Sequence, residues 1–450
     1  MKQISGVPKR TIMYRLSRKR ANLTGANRPG EGRALGRAAV LVLVIALAAG
    51  FLSCSDKVGP PRKVILVGID AADWQVMGNL LEDGKLPNFS RLISQGSTGR
   101  LDTFLPLRKS PILWTSIATS KLPDEHGIGG FVKPAEGGKA VPYTGNVRRV
   151  KALWDILGEQ GMKVAVVGWM VTWPAEPVNG YMVSDYIQYE NERGIKFEKQ
   201  TYPEELFGEI DSLRLKEHEM VDDRVAHIFP MDRTPEELGA EAWQKSYVKQ
   251  IFATDETFRR IALHLNDKGV DFLTVYFNGV DSMCHAFWEQ RMHRNHPLNK
   301  VIDNYYLWID GVLGEFIDLV DDETLLVVCS DHGFHGKRKA PDGGTLLGIY
   351  MHGEYGIVGM MGKGVRKGSR IIDAGILDIT PTILYALGLP IGRDMHGRVL
   401  TEAFESAYLE GNPTAFVATY ETGDRIAGEP IASPVDEEVK KKLKAVGYMQ

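Results

Sequence analysis

Short runs of apolar, β-branched residues recur along the chain. They cover residues 63–69, 163–169, 271–280 and 324–330. Runs of this length predict buried strands. Segments with helical periodicity occupy residues 150–161 and 255–267, and Gly161 stands where a helix is expected to stop. Strands that alternate with helices predict an α/β fold, in which a mostly parallel sheet is covered on both faces.

One segment interrupts this alternation of predicted strands and helices. Residues from about 190 to 250 are rich in charge and helical in pattern, with acidic stretches at residues 222–223 and 236–237. We predict that they form a helical cap insertion at the edge of the sheet.

The composition is that of a globular protein. Of 450 residues, 44% are hydrophobic, 25% are charged and three are cysteines, which excludes a disordered, collagen-like or disulfide-stapled chain. Residues 1–37 hold ten Lys and Arg residues and one acid, a charge of +9, whereas the remaining 44 basic and 56 acidic residues sum to -12. An acidic body argues against a nucleic-acid-binding protein, which needs a basic surface.

The N-terminal segment has the features of a targeting signal. The basic residues 1–37 are followed by an uncharged apolar run at residues 38–52 and then by Ser53, Cys54 and Ser55. This order is typical of a bacterial export signal. We therefore expect the body of the protein to work outside the cytoplasm, in the periplasm or the cell envelope.

Three fates of this signal or anchor segment, residues 38–54, are open. Cys54 resembles the processing site of a lipoprotein, in which a lipid on that cysteine would hold the chain at the membrane. The alternatives are a retained N-terminal span, although the run is short for a span of about 20 residues, and a cleaved, soluble form.

Acids and imidazoles follow the predicted strands. Along the chain they are Asp70, Asp281, His285, Asp331, His332 and His352. Ligands of α/β proteins gather at the carboxyl ends of parallel strands. Three Asp and three His suit two zinc-class ions, for which mixed nitrogen and oxygen ligands are typical. Taken alone, such an Asp is more often a helix cap than a metal ligand, and such a His is more often a surface or core residue. The prediction therefore rests on their recurrence at one edge of the sheet.

Local spacing restricts how these residues can cooperate. Asp281 and His285 are four residues apart and share one face of a helical turn, so both can reach one ion. Asp331 and His332 are adjacent and can share a ligand only if the strand ends at Ser330. Gly333 permits the sharp turn that this requires.

A second candidate is Ser110. An apolar helix is predicted to begin at Pro111, which leaves Ser110 either as its N-cap or as a nucleophile. A hydroxyl at a helix N-terminus and beside metal ions can ionise and attack a phosphate.

These motifs together resemble the alkaline phosphatase superfamily, and within it the type I phosphodiesterase/nucleotide pyrophosphatase branch. The resemblance covers residues 62–402 and leaves residues 403–450 as a C-terminal extension. It is carried by Asp70, by the segment from Ser110 to Thr119 with Pro123, His126 and Gly127, by Asp281 and His285, by the segment from Ser330 to Phe334, and by His352, Gly356 and Ile357. It implies an alkaline-phosphatase-like three-layer sandwich that hydrolyses phosphate mono- or diesters through a phosphoserine.

The resemblance also implies how the ligands of two divalent ions are divided, and the ligand types favour Zn²⁺. One would bind Asp70, Asp331, His332 and the Ser110 oxygen, and the other would bind Asp281, His285 and His352. For the last ligand, His335 and His396 are alternatives, and the following Gly356-Ile357 favours His352.

Departures from the family pattern narrow the function. Leu113 stands where nucleotide pyrophosphatases carry an Asn that contacts phosphoryl oxygen, which argues against a nucleotide substrate. Ser110 lacks the following Arg of a sulfatase motif. Two competing hypotheses remain. One is a transferase that passes a phospho-alcohol to an envelope lipid or glycan, and the other is a non-catalytic, metal-stabilised envelope scaffold.

Overall fold

The computed structural model describes residues 58–448, except positions 107, 337 and 446 and the segments 135–139, 191–196, 217–221, 340–344, 347–350 and 424–426. The chain divides by contacts into Met1–Asp56 and Lys57–Gln450, and the structure described below belongs to the second unit. The predicted export signal and the lipidation site Cys54 lie outside the described residues.

The strands are short and lie mostly in one sheet. They are β1 (Lys63–Ile69), β2 (Ser97–Asp102), β3 (Val132–Pro134), β4 (Ala140–Pro142), β5 (Val164–Val167), β6 (Gly180–Val183), β7 (Thr201–Tyr202), β8 (Phe272–Phe277), β9 (Thr324–Cys329), β10 (Arg338–Lys339), β11 (Thr345–Leu346), β12 (Tyr355–Gly362), β13 (Ser369–Gly375), β14 (Ile391–Gly392) and β15 (Phe416–Val417).

Within the described residues, nine strands form the main sheet in the order β13-β2-β12-β9-β1-β8-β5-β6-β7. The neighbours from β9 to β6 are parallel, and so are β13 and β2. Strand β12 is antiparallel to both of its neighbours, and β7 is antiparallel to β6. The four predicted strands are therefore confirmed, and they lie side by side at the centre as β9-β1-β8-β5.

Strand β1 shows why the sheet is covered on both faces. Its residues are almost all buried, and alternate side chains enter different apolar cores. Ile65 and Val67 belong to one core, whereas Val64 and Leu66 belong to the other. A parallel strand buried in this way requires apolar residues at every position rather than at every second one.

Helices fill the two outer layers. They are α1 (Trp74–Glu82), α2 (Pro87–Gln95), α3 (Ser110–Thr119), α4 (Pro123–His126), α5 (Leu153–Glu159), α6 (Leu206–Ile210), α7 (Pro235–Leu238), α8 (Ala242–Asn266), α9 (Gly279–Met292), α10 (Val301–Ile317), α11 (Ile379–Ala386), α12 (Ser406–Gly411) and α13 (Asp436–Ala445). No helix in this described part of the chain is both long enough and apolar enough to cross a membrane.

The two helices predicted from periodicity are present with shifted ends. The segment 150–161 forms α5, and the segment 255–267 forms the second half of α8, which already begins at Ala242. The predicted insertion at residues 190–250 thus includes the start of a core helix. It also contains β7, the last strand at this edge of the sheet.

We expect substitutions in β1 to be far more costly than those at the sheet edge. Ile65→Ala should lower the free energy of unfolding by about 2–5 kcal/mol, because Ile65 is fully buried and truncation leaves a cavity. Ile372→Ala, the same change in edge strand β13 at a residue 58% exposed, should change it by less than about 0.5 kcal/mol. Urea unfolding of both variants measures the difference, and equal effects would contradict the described core.

Candidate metal centre and nucleophile

Asp70 follows β1 directly, and two side chains orient it. The Tyr276 hydroxyl donates to Asp70 Oδ2 at 2.6 Å, and the Trp114 indole N–H donates to the same oxygen at 3.2 Å. Trp114 reaches this position because residue 68 is a glycine, where a β-carbon would lie 2.7 Å from the indole ring. The other oxygen, Oδ1, is buried without a hydrogen-bond partner among the described residues. The carboxylate is therefore held by one oxygen and free to bind a cation with the other.

The chain turns where β9 ends, as the sequence predicted. The Ser330 hydroxyl donates to the His332 carbonyl at 2.8 Å, and Asp331 Oδ2 lies 3.5 Å from His332 Nε2. Both Asp331 oxygens are buried and lack hydrogen-bond partners in the described part of the chain. His332 Nε2 also lies 3.3 Å from Asp70 Oδ1, so three predicted ligands meet at this point.

Gly333 is required for a different reason from the predicted one. Its backbone is not in the left-handed region, so the expected conformational argument is wrong. A β-carbon at position 333 would instead lie 2.3 Å from Asp73 Oδ2 and 2.4 Å from the Tyr355 carbonyl oxygen. Asp73 also accepts the backbone N–H of Phe334 at 3.2 Å, which fastens this loop to the start of α1.

Helix α9 carries the next two predicted ligands on one face. Asp281 Oδ1 lies 3.3 Å from His285 Nε2, as the four-residue spacing predicted. The first turn of this helix is anchored by Asp255 of α8, whose carboxylate accepts the backbone N–H groups of Asn278 and Gly279 at 3.2 and 2.9 Å. Burial raises the pKa of Asp255 to about 7 despite these bonds.

The tautomers of two histidines follow from their partners. His332 Nδ1 lies 3.0 Å from the Gly333 carbonyl oxygen, and His352 Nδ1 lies 2.9 Å from the Arg108 carbonyl oxygen. A carbonyl oxygen only accepts, so each Nδ1 carries a proton, and the neutral tautomer of each ring has its lone pair on Nε2. His352 Nε2 lies 3.1 Å from His285 Nε2, which is the arrangement of two ligands of one ion.

Of the three histidines considered for this position, His352 is the one that lies among the other candidate ligands. His335 is exposed and uses its backbone N–H on the Met351 carbonyl. His396 lies 2.7 Å from the Glu125 carboxylate.

Ser110 is the first residue of α3 and not its N-cap, which is Lys109. The predicted helix start at Pro111 is therefore one residue late, and the capping role is wrong. The Ser110 side chain is buried, and its Oγ lies 3.3 Å from His332 Nε2. A hydroxyl that is not used as a cap, and that lies beside candidate ligands at a helix N-terminus, is available for reaction.

The charges at this centre are poorly compensated by the protein alone. Burial and the neighbouring Asp70 raise the pKa of Asp331 well above its usual range, and burial and Asp281 raise the pKa of Asp70. Burial also acts to raise the pKa of Asp281, but the imidazoles of His285 and His352 outweigh it and the pKa is lowered. Divalent cations would supply the missing positive charge.

The donor atoms form two groups that share one residue. Asp281, His285 and His352 lie within 4.8 Å of one another, and so do Asp70, Asp281 and His332. The shared Asp281 was predicted for only one of the two ions. Buried carboxylate oxygens without hydrogen-bond partners among the described residues, beside imidazoles, fit cations of the zinc class, and they fit poorly in a purely structural core.

A cavity of about 180 Å³ opens onto this centre. Its lining includes Asp70, Ser110, Phe131, Tyr143, Tyr189 and Tyr448. Tyr448 belongs to the C-terminal extension, and yet its hydroxyl lies 2.9 Å from Asp281 Oδ2.

The sequence reasoning missed three residues of the site. Trp114 and Tyr276 lie inside an apolar helix and an apolar strand, where an aromatic residue normally indicates core packing. Tyr448 lies outside the region of family resemblance. A signal was present for it, because Gly447 follows a short amphipathic helical segment and predicts a helix end just before the tyrosine.

Comparison with solved structures shows the fold. The structure of wild-type alkaline phosphatase PafA matches with a TM-score of 0.52 and 14% identity, over 77% of this chain and 100% of that one. The predicted alkaline-phosphatase-like fold with a mostly parallel sheet is thereby confirmed.

Comparison with curated proteins finds a shorter likeness. GPI ethanolamine phosphate transferase 3 of Schizosaccharomyces pombe is 29% identical over 147 residues, which are 31% of this chain and 14% of that protein. The chain thus spans only a small part of the length of this relative.

A family model described as type I phosphodiesterase/nucleotide pyrophosphatase matches residues 64–346, more than half of the chain. That region contains Asp70, Ser110, Asp281, His285, Asp331 and His332. The chain belongs to the type I phosphodiesterase/nucleotide pyrophosphatase family, within the alkaline phosphatase superfamily.

Proposed function

We propose that this protein is a metal-dependent hydrolase of phosphate mono- or diesters that works through a phosphoserine at Ser110. One observation supports this most strongly: the Ser110 hydroxyl lies 3.3 Å from His332 Nε2, beside buried carboxylate oxygens of Asp70 and Asp331 that lack hydrogen-bond partners among the described residues. A nucleophile and a set of metal-donor groups at one place are what metal-assisted phosphoryl transfer requires.

Two ions are proposed at this centre. Asp70, Asp331, His332 and the Ser110 oxygen would hold one, and Asp281, His285 and His352 would hold the other. When bound, such ions supply positive charge that favours ionised Ser110 and stabilises the apical oxygens of an in-line displacement. The mixture of carboxylate and imidazole donors favours Zn²⁺.

The steps of the reaction follow from Ser110. Its oxygen forms a bond to phosphorus while the ester bond to the leaving alcohol breaks. The proton that the serine loses ends on the oxygen of the departing alcohol. Water then attacks phosphorus, which releases phosphate or a phosphate monoester and restores the serine hydroxyl. The protein's own part is orientation, since Tyr276 and Trp114 hold the Asp70 carboxylate. Backbone carbonyl groups likewise hold the imidazoles of His332 and His352.

We further propose that the protein acts outside the cytoplasm. The basic residues 1–37, the apolar run 38–52 and Cys54 support export followed by lipid or membrane anchoring. The likeness to a GPI ethanolamine phosphate transferase is compatible with work on lipid-linked substrates at a membrane.

That same likeness supports a second candidate. A transferase would use the phosphoserine in the same way, but an alcohol of an envelope lipid or glycan would replace water in the second step. The first half of the reaction, and therefore the role of Ser110, is common to both candidates.

Ser110→Ala should reduce the hydrolysis of an aryl phosphate ester by about 10³-fold or more, because the attacking oxygen is removed. Ser116→Ala is a matched control in the same helix, since its hydroxyl pairs with His126 Nε2 at 3.0 Å. Rates of aryl alcohol release measure both. Unaltered hydrolysis by Ser110→Ala would exclude the proposed nucleophile, and an ester formed on an added alcohol acceptor would favour the transferase.

Tyr276→Phe should weaken Zn²⁺ binding about 10–100-fold, because Asp70 loses the hydroxyl that orients it. Tyr385→Phe makes the same change at a buried tyrosine that donates to the Asn412 carbonyl, and it should leave Zn²⁺ affinity as it is. Competition titration with a coloured chelator measures both affinities. Equal affinities of Tyr276→Phe and wild type would show that this hydroxyl does not position Asp70 for a cation.

A further inference from the structure

The C-terminal helix α13 packs beside the active-site cavity. Val435 and Val439 belong to an aromatic cluster with Trp173, Tyr186 and Tyr189. The Lys442 ammonium lies 4.0 Å from the centroid of the Tyr189 ring, an additional cation–π contact. These contacts seat the C-terminal extension against the wall of the cavity that contains Ser110.

The end of this helix determines where Tyr448 goes. Gly447 has a φ of +82°, which an L side chain rarely adopts. Its N–H donates to the Lys444 carbonyl at 3.1 Å, and the Tyr448 N–H donates to the Leu443 carbonyl at 2.8 Å. This pair of bonds is a Schellman motif, which stops the helix and reverses the chain direction. Tyr448 is thereby directed inward.

The Tyr448 ring is held between other rings. It stacks on Phe131 with centroids 4.3 Å apart and an interplanar angle of 23°, and its centroid lies 5.0 Å from that of His285. The hydroxyl lies 2.9 Å from Asp281 Oδ2, 2.8 Å from His285 Nε2 and 2.9 Å from His352 Nε2. The phenol oxygen therefore contacts every protein residue of the second proposed ion site.

Three of these donors have the spacing expected of ligands on one tetrahedral ion. The separations among Asp281 Oδ1, His285 Nε2 and His352 Nε2 are 3.1, 3.3 and 3.7 Å. Ligands about 2.0–2.1 Å from a tetrahedral zinc ion are about 3.3 Å apart. The phenol oxygen lies 2.8 and 2.9 Å from the two imidazole nitrogens and 2.9 Å from Asp281 Oδ2, the other oxygen of that carboxylate. It is therefore placed as a fourth donor with slightly short separations.

We propose that Tyr448 is the fourth protein donor of the Asp281–His285–His352 ion site, supplied by the C-terminal extension. This inference rests on the proposed function and deepens it. A site with four protein donors is closed to outside oxygens, whereas a catalytic site keeps a position open. Substrate oxygen reaches this ion only after the phenol leaves, so the C-terminal segment controls access to half of the metal centre.

The test compares two full-length variants that each lose one hydroxyl from the same cavity. Tyr448→Phe removes the proposed donor, and Tyr143→Phe removes a hydroxyl that packs against Gly129. Zn²⁺ affinity is measured by chelator competition, and the geometry of the site by the visible spectrum of the Co²⁺-loaded protein. Tyr448→Phe should weaken one of two Zn²⁺ affinities about tenfold or more and change the Co²⁺ spectrum, while Tyr143→Phe matches wild type.

Other outcomes overturn the inference separately from the proposed function. If Tyr448→Phe binds Zn²⁺ as wild type does, or more tightly because the phenol competes with the ion, Tyr448 is not a donor. In that case the wild type would still bind two ions and lose one in His285→Ala, and the hydrolase proposal stands. If the wild type binds no Zn²⁺, both proposals fail.

Discussion

The structure depends on the burial of three carboxylates at one point. Asp70, Asp281 and Asp331 are each at most 6% exposed, and four of their oxygens lack hydrogen-bond partners among the described residues. An unpaired buried charge is among the most costly features that a fold can contain. The protein partly offsets this cost with the donors Tyr276 and Trp114 and with imidazoles beside Asp281. Bound cations would offset the remainder, and they would join stability to the proposed chemistry.

The sheet explains how residues so far apart in sequence can meet. Strands β9, β1 and β8 are parallel neighbours, so their carboxyl ends lie at one edge. Asp70 follows β1, Asp331 follows β9, and α9 begins directly after β8 with Asp281 in its first turn. Helix α3 then brings Ser110 to the same edge. The arrangement needs rigid, fully apolar strands, which accounts for the two cores that share β1.

Much of the fold and of the candidate metal centre was predictable, because a buried parallel strand has a strong apolar pattern and the polar residues after it are easy to recognise. That reasoning found the central strands β1, β5, β8 and β9 and brought the six acid and imidazole residues to one edge. It failed where the role of a residue depends on a contact between segments that are distant in sequence. The crowding at Gly333 by Asp73 and Tyr355 has no local signature, and neither has the use of Tyr276 as a hydrogen-bond donor. Gly447 signals the helix end before Tyr448, but the place of the Tyr448 ring depends on its stacking against Phe131, which is far away in sequence.

The central claim is that two cations bind among these six side chains next to Ser110. Anomalous diffraction at the zinc absorption edge, from crystals of the full-length protein grown with Zn²⁺, tests it most directly. Two peaks are expected in each molecule, one beside Asp70, Asp331 and His332 and the other beside Asp281, His285 and His352. Strong zinc peaks elsewhere on the molecule, with none at this edge of the sheet, would contradict it.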